Sequence, residues 1–210
     1  MQNSVILSTA YLAPIQYYSK LLKYDNSIVE LHENYVKQSF RNRCNIYGAN
    51  GLQTLSIPIK KDISPKILIK DIKISYEKNW QKNHWKAIKS AYGSSPFYEY
   101  FVDDFVKFYK KKFNFLIDFN REIQQVVLNL LEIDTSLTYT NSYNKNCDIK
   151  DFREIINPKK RLSKPDDEFT MVEYYQVFAE KHGFIPNLSI IDLLFNEGTN
   201  AYDILNKSTI

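Results

Sequence analysis

The sequence predicts a single α/β domain spanning 1–210. It reads as a mixed sheet with an N-terminal strand–helix–strand unit, a β-hairpin and a helical C-terminal half. Three observations carry this reading. Val5-Ile6-Leu7 is apolar at successive positions, the pattern of a strand covered on both faces. Gly48-Ala49-Asn50-Gly51 separates two strand-like runs, and Asn-Gly is a strong hairpin-turn signal. From Asn79 onward the apolar spacing changes to three and four residues, the helical period.

Taken in order, Ser4–Ser8 is the first strand. Pro14 suits the first turn of a helix, where its missing N–H costs nothing, and the helix continues through Ile15–Leu22. Ser27–Leu31 is the second strand. A strand–helix–strand start implies a parallel pair, with Thr9, Ala10 and Tyr11 at the carboxyl end where such folds bind ligands. Arg43–Tyr47 and Leu52–Ile59 form the hairpin, and Ile67–Ile74 adds a strand. Trp80, His84, Ile88 and Ala91 make one helical stripe that ends at Gly93-Ser94-Ser95-Pro96. Phe97, Phe101, Phe105 and Phe108 form a core stripe, and Asn120 caps a helix running to Leu131. Residues 141–167, with Pro158, Pro165 and the basic run Lys159-Lys160-Arg161, read as a loop-rich insertion. Glu173–Phe178 is a short strand or helical turn. Ser189-x-x-Asp192 resembles a capping box, opening a last helix that closes at Gly198.

Composition narrows the function. With 210 residues, 44% of them hydrophobic, the chain can bury one substantial core. The net charge of +4 is mild, which argues against a dedicated duplex-binding protein. No apolar run reaches the length of a membrane span, and no secretory signal pattern is visible. Cys44 and Cys147 stand in no paired spacing and are expected as free thiols. His32, His84 and His182 are dispersed, so no metal site is expected, and no glycine-rich phosphate loop or other cofactor motif is evident. The 16 Tyr and 13 Phe reflect codon bias as much as function, because Asn, Lys and Ile are abundant as well.

Candidate chemistry concentrates in residues 32–43. Arg41 and Arg43, two apart, present their guanidinium groups to one face of an extended segment, with Asn42 on the other. Such forks match a carboxylate or phosphate. Tyr35, Lys37, Arg41, Asn42 and Arg43 therefore form a recognition set for an anionic small-molecule donor. His32 and Glu33 are candidates for acid–base work, and Tyr11 for orienting an acceptor. His84, one helical turn from Trp80, is a further acid–base candidate. Positive neighbours would lower the Cys44 thiol pKa. The expectation is that Tyr11, Tyr35, Arg41 and Arg43 line one cleft at the carboxyl ends of the first two strands.

Several pieces recur in a particular order: Val5-Ile6-Leu7, Tyr11-Leu12-Ala13-Pro14, the 33–43 run, Leu52–Ile59, Trp80-Gln81-Lys82-Asn83-His84-Trp85 and Pro186-Asn187-Leu188-Ser189 through Gly198. Together they resemble the WbqC-like family of bacterial proteins over nearly the whole chain. The resemblance implies a cytoplasmic protein of surface-polysaccharide biosynthesis, lipopolysaccharide included, with transferase chemistry. The donor would be a nucleotide-sugar, an aminoacyl or an acyl compound. The alternative is a non-catalytic binding or scaffold protein of the same pathway.

Overall fold

A computed structural model describes residues 3–60, 66–159 and 164–210. Four parallel strands form one sheet in the order β5-β2-β1-β6: β1 (Ser4–Ser8), β2 (Asn26–Glu30), β5 (Ser136–Tyr139) and β6 (Lys150–Asp151). The N-terminal strand is interior, as its doubly apolar pattern requires: Val5, Ile6 and Leu7 are all buried. The hairpin β3 (Arg43–Gly48) and β4 (Gly51–Ser56) is antiparallel and forms a second, separate sheet. Its turn depends on Gly51, whose φ of 94° lies in the region glycine enters freely.

Between β1 and β2 runs α1 (Ile15–Lys23). Its N-terminus is capped from the far end of the chain. Leu188 O accepts from Ile15 N at 3.0 Å, and Asn187 Oδ1 accepts from Gln16 N at 3.0 Å. Asn187 reaches this position with a φ of 54°, a conformation Asn tolerates better than most residues. The Pro-Asn-Leu-Ser motif thus acts as a clamp on the first helix.

The remaining helices are α2 (Trp80–Tyr92), α3 (Tyr98–Val106), α4 (Leu116–Leu130), α5 (Ala179–His182), α6 (Ile190–Glu197) and α7 (Ala201–Lys207). The predicted stripe of α2 is buried as expected. Phe105 and Phe108 are core, while Phe97 packs against Gly198, which ends α6 at a φ of 58° and leaves no room for a Cβ. Buried apolar residues of the sheet, hairpin and helices form one connected cluster.

Several local expectations are corrected. Ile67–Ile74 is not a strand. A 3₁₀ turn, Ile69–Asp71, sits there between isolated bridges, and Ile69 and Ile72 anchor it in the core. Asn120 does not cap a helix. It is interior to α4 and fully buried, donating to Thr9 Oγ1 at 3.1 Å and Arg41 O at 2.8 Å. Ser189 does precede α6, but its hydroxyl donates to Leu12 O at 2.8 Å instead of closing a capping box. Glu173–Phe178 is irregular, and Tyr174 and Gln176 are held by side-chain bonds described below. Within 141–167, β6 completes the sheet, and of the basic run only Lys159 lies among the described residues.

Candidate functional site

The register of the parallel sheet decides what meets at its carboxyl edge. Ser8 lies opposite Glu30 at the ends of β1 and β2. Thr140 follows β5, and its N–H donates to Val29 O at 3.1 Å. Phe152 and Arg153 follow β6, with Phe152 N donating to Ile6 O at 3.0 Å. Polar residues at four strand ends thus gather on one rim, the usual ligand position of open α/β sheets.

Two arginines organise this rim. Arg41 grips Glu33 bidentately, Nε donating to Oε1 at 2.7 Å and Nη2 to Oε2. Its Nη2 also donates to Ser8 Oγ at 2.8 Å. Ser8 Oγ lies 3.3 Å from Glu33 Oε2 and 3.2 Å from Arg153 O, either of which can accept its proton. Arg153 donates through Nη1 to Glu30 Oε2 at 3.1 Å and through Nε and Nη2 to Asp151 at 3.0 and 2.6 Å. Its Nη1 also reaches Asn144 O at 2.9 Å. Glu30 is fully buried, and its other oxygen accepts from Thr140 Oγ1 at 2.8 Å and His32 N at 2.7 Å. Arg153 is therefore engaged through all three nitrogens and Arg41 through Nε and Nη2, and their bonds to carboxylates are charge-assisted, the strong kind. Burial pushes the Asp151 carboxyl up, but hydrogen bonds and charge from Arg153 outweigh it and hold the pKa below the usual range. The same bonds raise Arg153.

A small pocket opens on this rim. Ser8, Thr9, Tyr17, Arg41 and Arg153 line it with the apolar Phe40, Phe152 and Ile156. Tyr17 accepts from Gln124 at 3.4 Å, and burial raises its phenol pKa.

The structure divides the residues singled out from sequence. Glu33 and Arg41 pair directly at the rim, and half-buried His32 stands beside them with Nδ1 3.4 Å from Thr140 Oγ1. Tyr35 is half-buried. Burial raises its pKa, and the nearby charges of Arg43 and Arg41 oppose the rise. Lys37 is exposed. Asn42 is buried and donates to Ile57 O at 2.8 Å, its Oδ1 without a partner. Arg43 is half-buried in β3, and its Nε has no partner.

Tyr11 and His84 belong to a different group. The Tyr11 hydroxyl is fully buried, 3.0 Å from His84 Nδ1 and 2.8 Å from the Tyr109 hydroxyl, with Trp80 packed edge-on against His84. Burial lowers the His84 pKa to about 4, so the ring is neutral at pH 7. Neither residue lines the rim pocket. Cys44 is buried there too. The expected thiolate is corrected: desolvation by burial pushes the Cys44 thiol pKa up, and a hydrogen bond with Tyr11 opposes the rise without reversing it. Both cysteines are free, as expected.

Sequence reasoning missed Ser8, Glu30 and Arg153. A signal existed for two of them. Glu30 is an acid ending the apolar run Ile28-Val29, and Arg153 is one of few arginines in a chain whose basic residues are mostly lysine. Burial falls on Arg41 and Arg153, where a rigid fork is needed.

Fold and site define an α/β protein whose parallel sheet carries a buried, charged rim at its strands' carboxyl ends. The chain belongs to the WbqC-like protein family, whose model matches residues 9–165 and 166–204. It is similar to an uncharacterized protein of Mycobacterium tuberculosis, 24% identical over 98% of each chain. No solved structure matches it. Among the described residues, no helix is long and apolar enough to cross a membrane.

Proposed function

We propose that the protein is a transferase of surface-polysaccharide biosynthesis, moving an activated glycosyl, aminoacyl or acyl group at the carboxyl-end rim. One observation supports this above others: Arg41 and Arg153 line a single pocket together with Ser8 and Thr9 at the ends of parallel strands. In this reading the anionic part of the donor competes with Glu33 for the Arg41 fork. Glu33, once released, or His32 takes the proton of the acceptor. In this reading Tyr35, Lys37 and Arg43 meet the donor as it enters from the 33–43 segment. The reading assigns no cofactor. The α1 N-terminus, a common phosphate position in such folds, takes no part because Asn187 and Leu188 already fill it.

A second reading, a non-catalytic binding protein of the same pathway, is favoured by the pairing of both guanidinium groups with the chain's own carboxylates. Thermal-shift screening with nucleotide-sugars, aminoacyl donors and coenzyme A thioesters separates the two. The transferase reading expects one donor class to raise the melting temperature. It also expects Arg41→Ala to weaken that donor on the order of tenfold or more. No stabilising donor, or full affinity in Arg41→Ala, overturns it.

A further inference from the structure

The outer face of α2 serves no part of the rim, and its charge is one-sided. The helix carries no acidic residue. At about 100° per residue, Lys82, Lys86 and Lys89 fall within an arc of about 60°, and all three are exposed. Exposed Lys78 precedes them by one turn.

A second lysine group lies against the adjoining flank. Gln81 Nε2 donates to Phe108 O at 3.0 Å and Lys111 O at 2.6 Å, and the Trp85 and Tyr109 rings sit 5.4 Å apart. Gln81 and Trp85 occupy the arc next to the lysines, so residues 107–112 run beside the stripe. They add exposed Lys107, Lys110 and Lys112. Lys111 pairs with Glu122 at 3.0 Å, but the other seven lysines named form no salt bridge among the described residues. Eight of the chain's 28 basic residues thus lie on or beside this face, with exposed Glu77 and Asp103 at its margins.

We infer that this face docks the protein on the surface of an anionic phospholipid bilayer. Four features favour lipid headgroups over nucleic acid. The cations are all lysine, compact point charges, where bidentate phosphate and base recognition calls for arginine. No fully exposed aromatic ring in α2 or 107–112 offers a stacking platform for unpaired bases. The partly buried Trp85 borders the stripe, and such amphipathic rings suit a membrane–water interface. Clusters of four to eight basic residues are a known pattern for anionic lipid, and here three lie on α2 and the others on the segments flanking it.

The test is vesicle sedimentation with the full chain. Phosphatidylcholine vesicles should not retain it, and vesicles containing about a third phosphatidylglycerol should. Retention should vanish at high salt, because exposed charges are screened. Each lysine near the surface contributes about fivefold, so K82Q/K86Q/K89Q should lower partitioning on the order of a hundredfold. K107Q/K110Q/K112Q should do so comparably, and K60Q/K207Q should bind as the parent does. Unchanged melting temperatures keep the comparison clean, since every substituted side chain is exposed. Absence of retention, equal retention by all variants, or lysine-dependent binding to duplex DNA without vesicle binding overturns the proposal.

Discussion

Two buried polar centres in this molecule solve one problem in opposite ways. At the sheet rim, Glu30, Glu33 and Asp151 face arginine forks. Around α6, Asp192 is fully buried and meets only neutral donors: Tyr92 at 2.8 Å, Tyr174 at 2.6 Å and Gln176 at 3.0 Å. The outcome differs accordingly. Asp151 is held below its ordinary pKa despite desolvation, because a guanidinium lies against it. Asp192 is pushed up to about 6 by burial, and three hydrogen bonds do not offset the loss of water. The two differ in burial as well as in partner: Asp151 keeps about a third of its side chain exposed and meets a guanidinium, while Asp192 is fully buried among neutral donors. The Asp192 centre ties irregular residues 174–176 to α6 and, through Tyr92 and its acceptance of Tyr47 N at 3.2 Å, to the hairpin.

Three measurements can break or sharpen this contrast. The largest effect is expected for Arg153→Met, which leaves fully buried Glu30 without its counter-ion. Removing one partner of a buried pair costs about 3–5 kcal/mol. Urea unfolding at pH 7 checks it, and adding Glu30→Gln should recover part of the loss. A cost under about 1 kcal/mol would place Arg153 among surface pairs and erase the contrast.

Next comes Asp192→Asn, read as a function of pH. The folded-state pKa of about 6 lies above the ordinary aspartate value of 3.8. The folded protein therefore holds this proton more tightly than the unfolded chain. The associated stability is complete below about pH 4 and is lost as pH rises through about 6. Relative to Asp192→Asn, the parent should lose on the order of 2–3 kcal/mol across that window. Parallel stability curves for the two proteins would show that Asp192 titrates as an ordinary carboxyl.

The smallest effect is expected at Lys111→Ala. This ion pair with Glu122 lies on the surface, both side chains about half exposed or more. Such pairs are worth about 0–1 kcal/mol, so the melting temperature should barely move. A large drop would mean that the Lys111 ammonium, 4.4 Å over the Phe113 ring centre, gains more from that cation–π contact than its exposure implies.

Periodicity and turn chemistry sufficed where structure is local. The interior β1, the hairpin with its Gly51 turn, the buried face of α2 and the end of α6 at Gly198 all follow from short-range pattern. The Glu33–Arg41 pair did not follow, although only eight residues separate the two: the sequence singled out both, but for separate roles. The other half of the rim was out of reach. A two-residue strand such as β6 has no period to detect, and its pairing with Val5 and Ile6 spans most of the chain. That pairing brings Arg153 to Glu30. Packing also decided between equivalent-looking polar residues: Asn120 turned inward to bind Thr9 and the Arg41 carbonyl, and Tyr11 joined His84 and Tyr109 in the core. The sequence by itself determined the α/β class, the hairpin, the helical faces and the family. Only the tertiary structure decided which charges meet, because ion pairs and buried hydrogen bonds form between residues that chain topology, not neighbourhood in sequence, brings within about 3 Å.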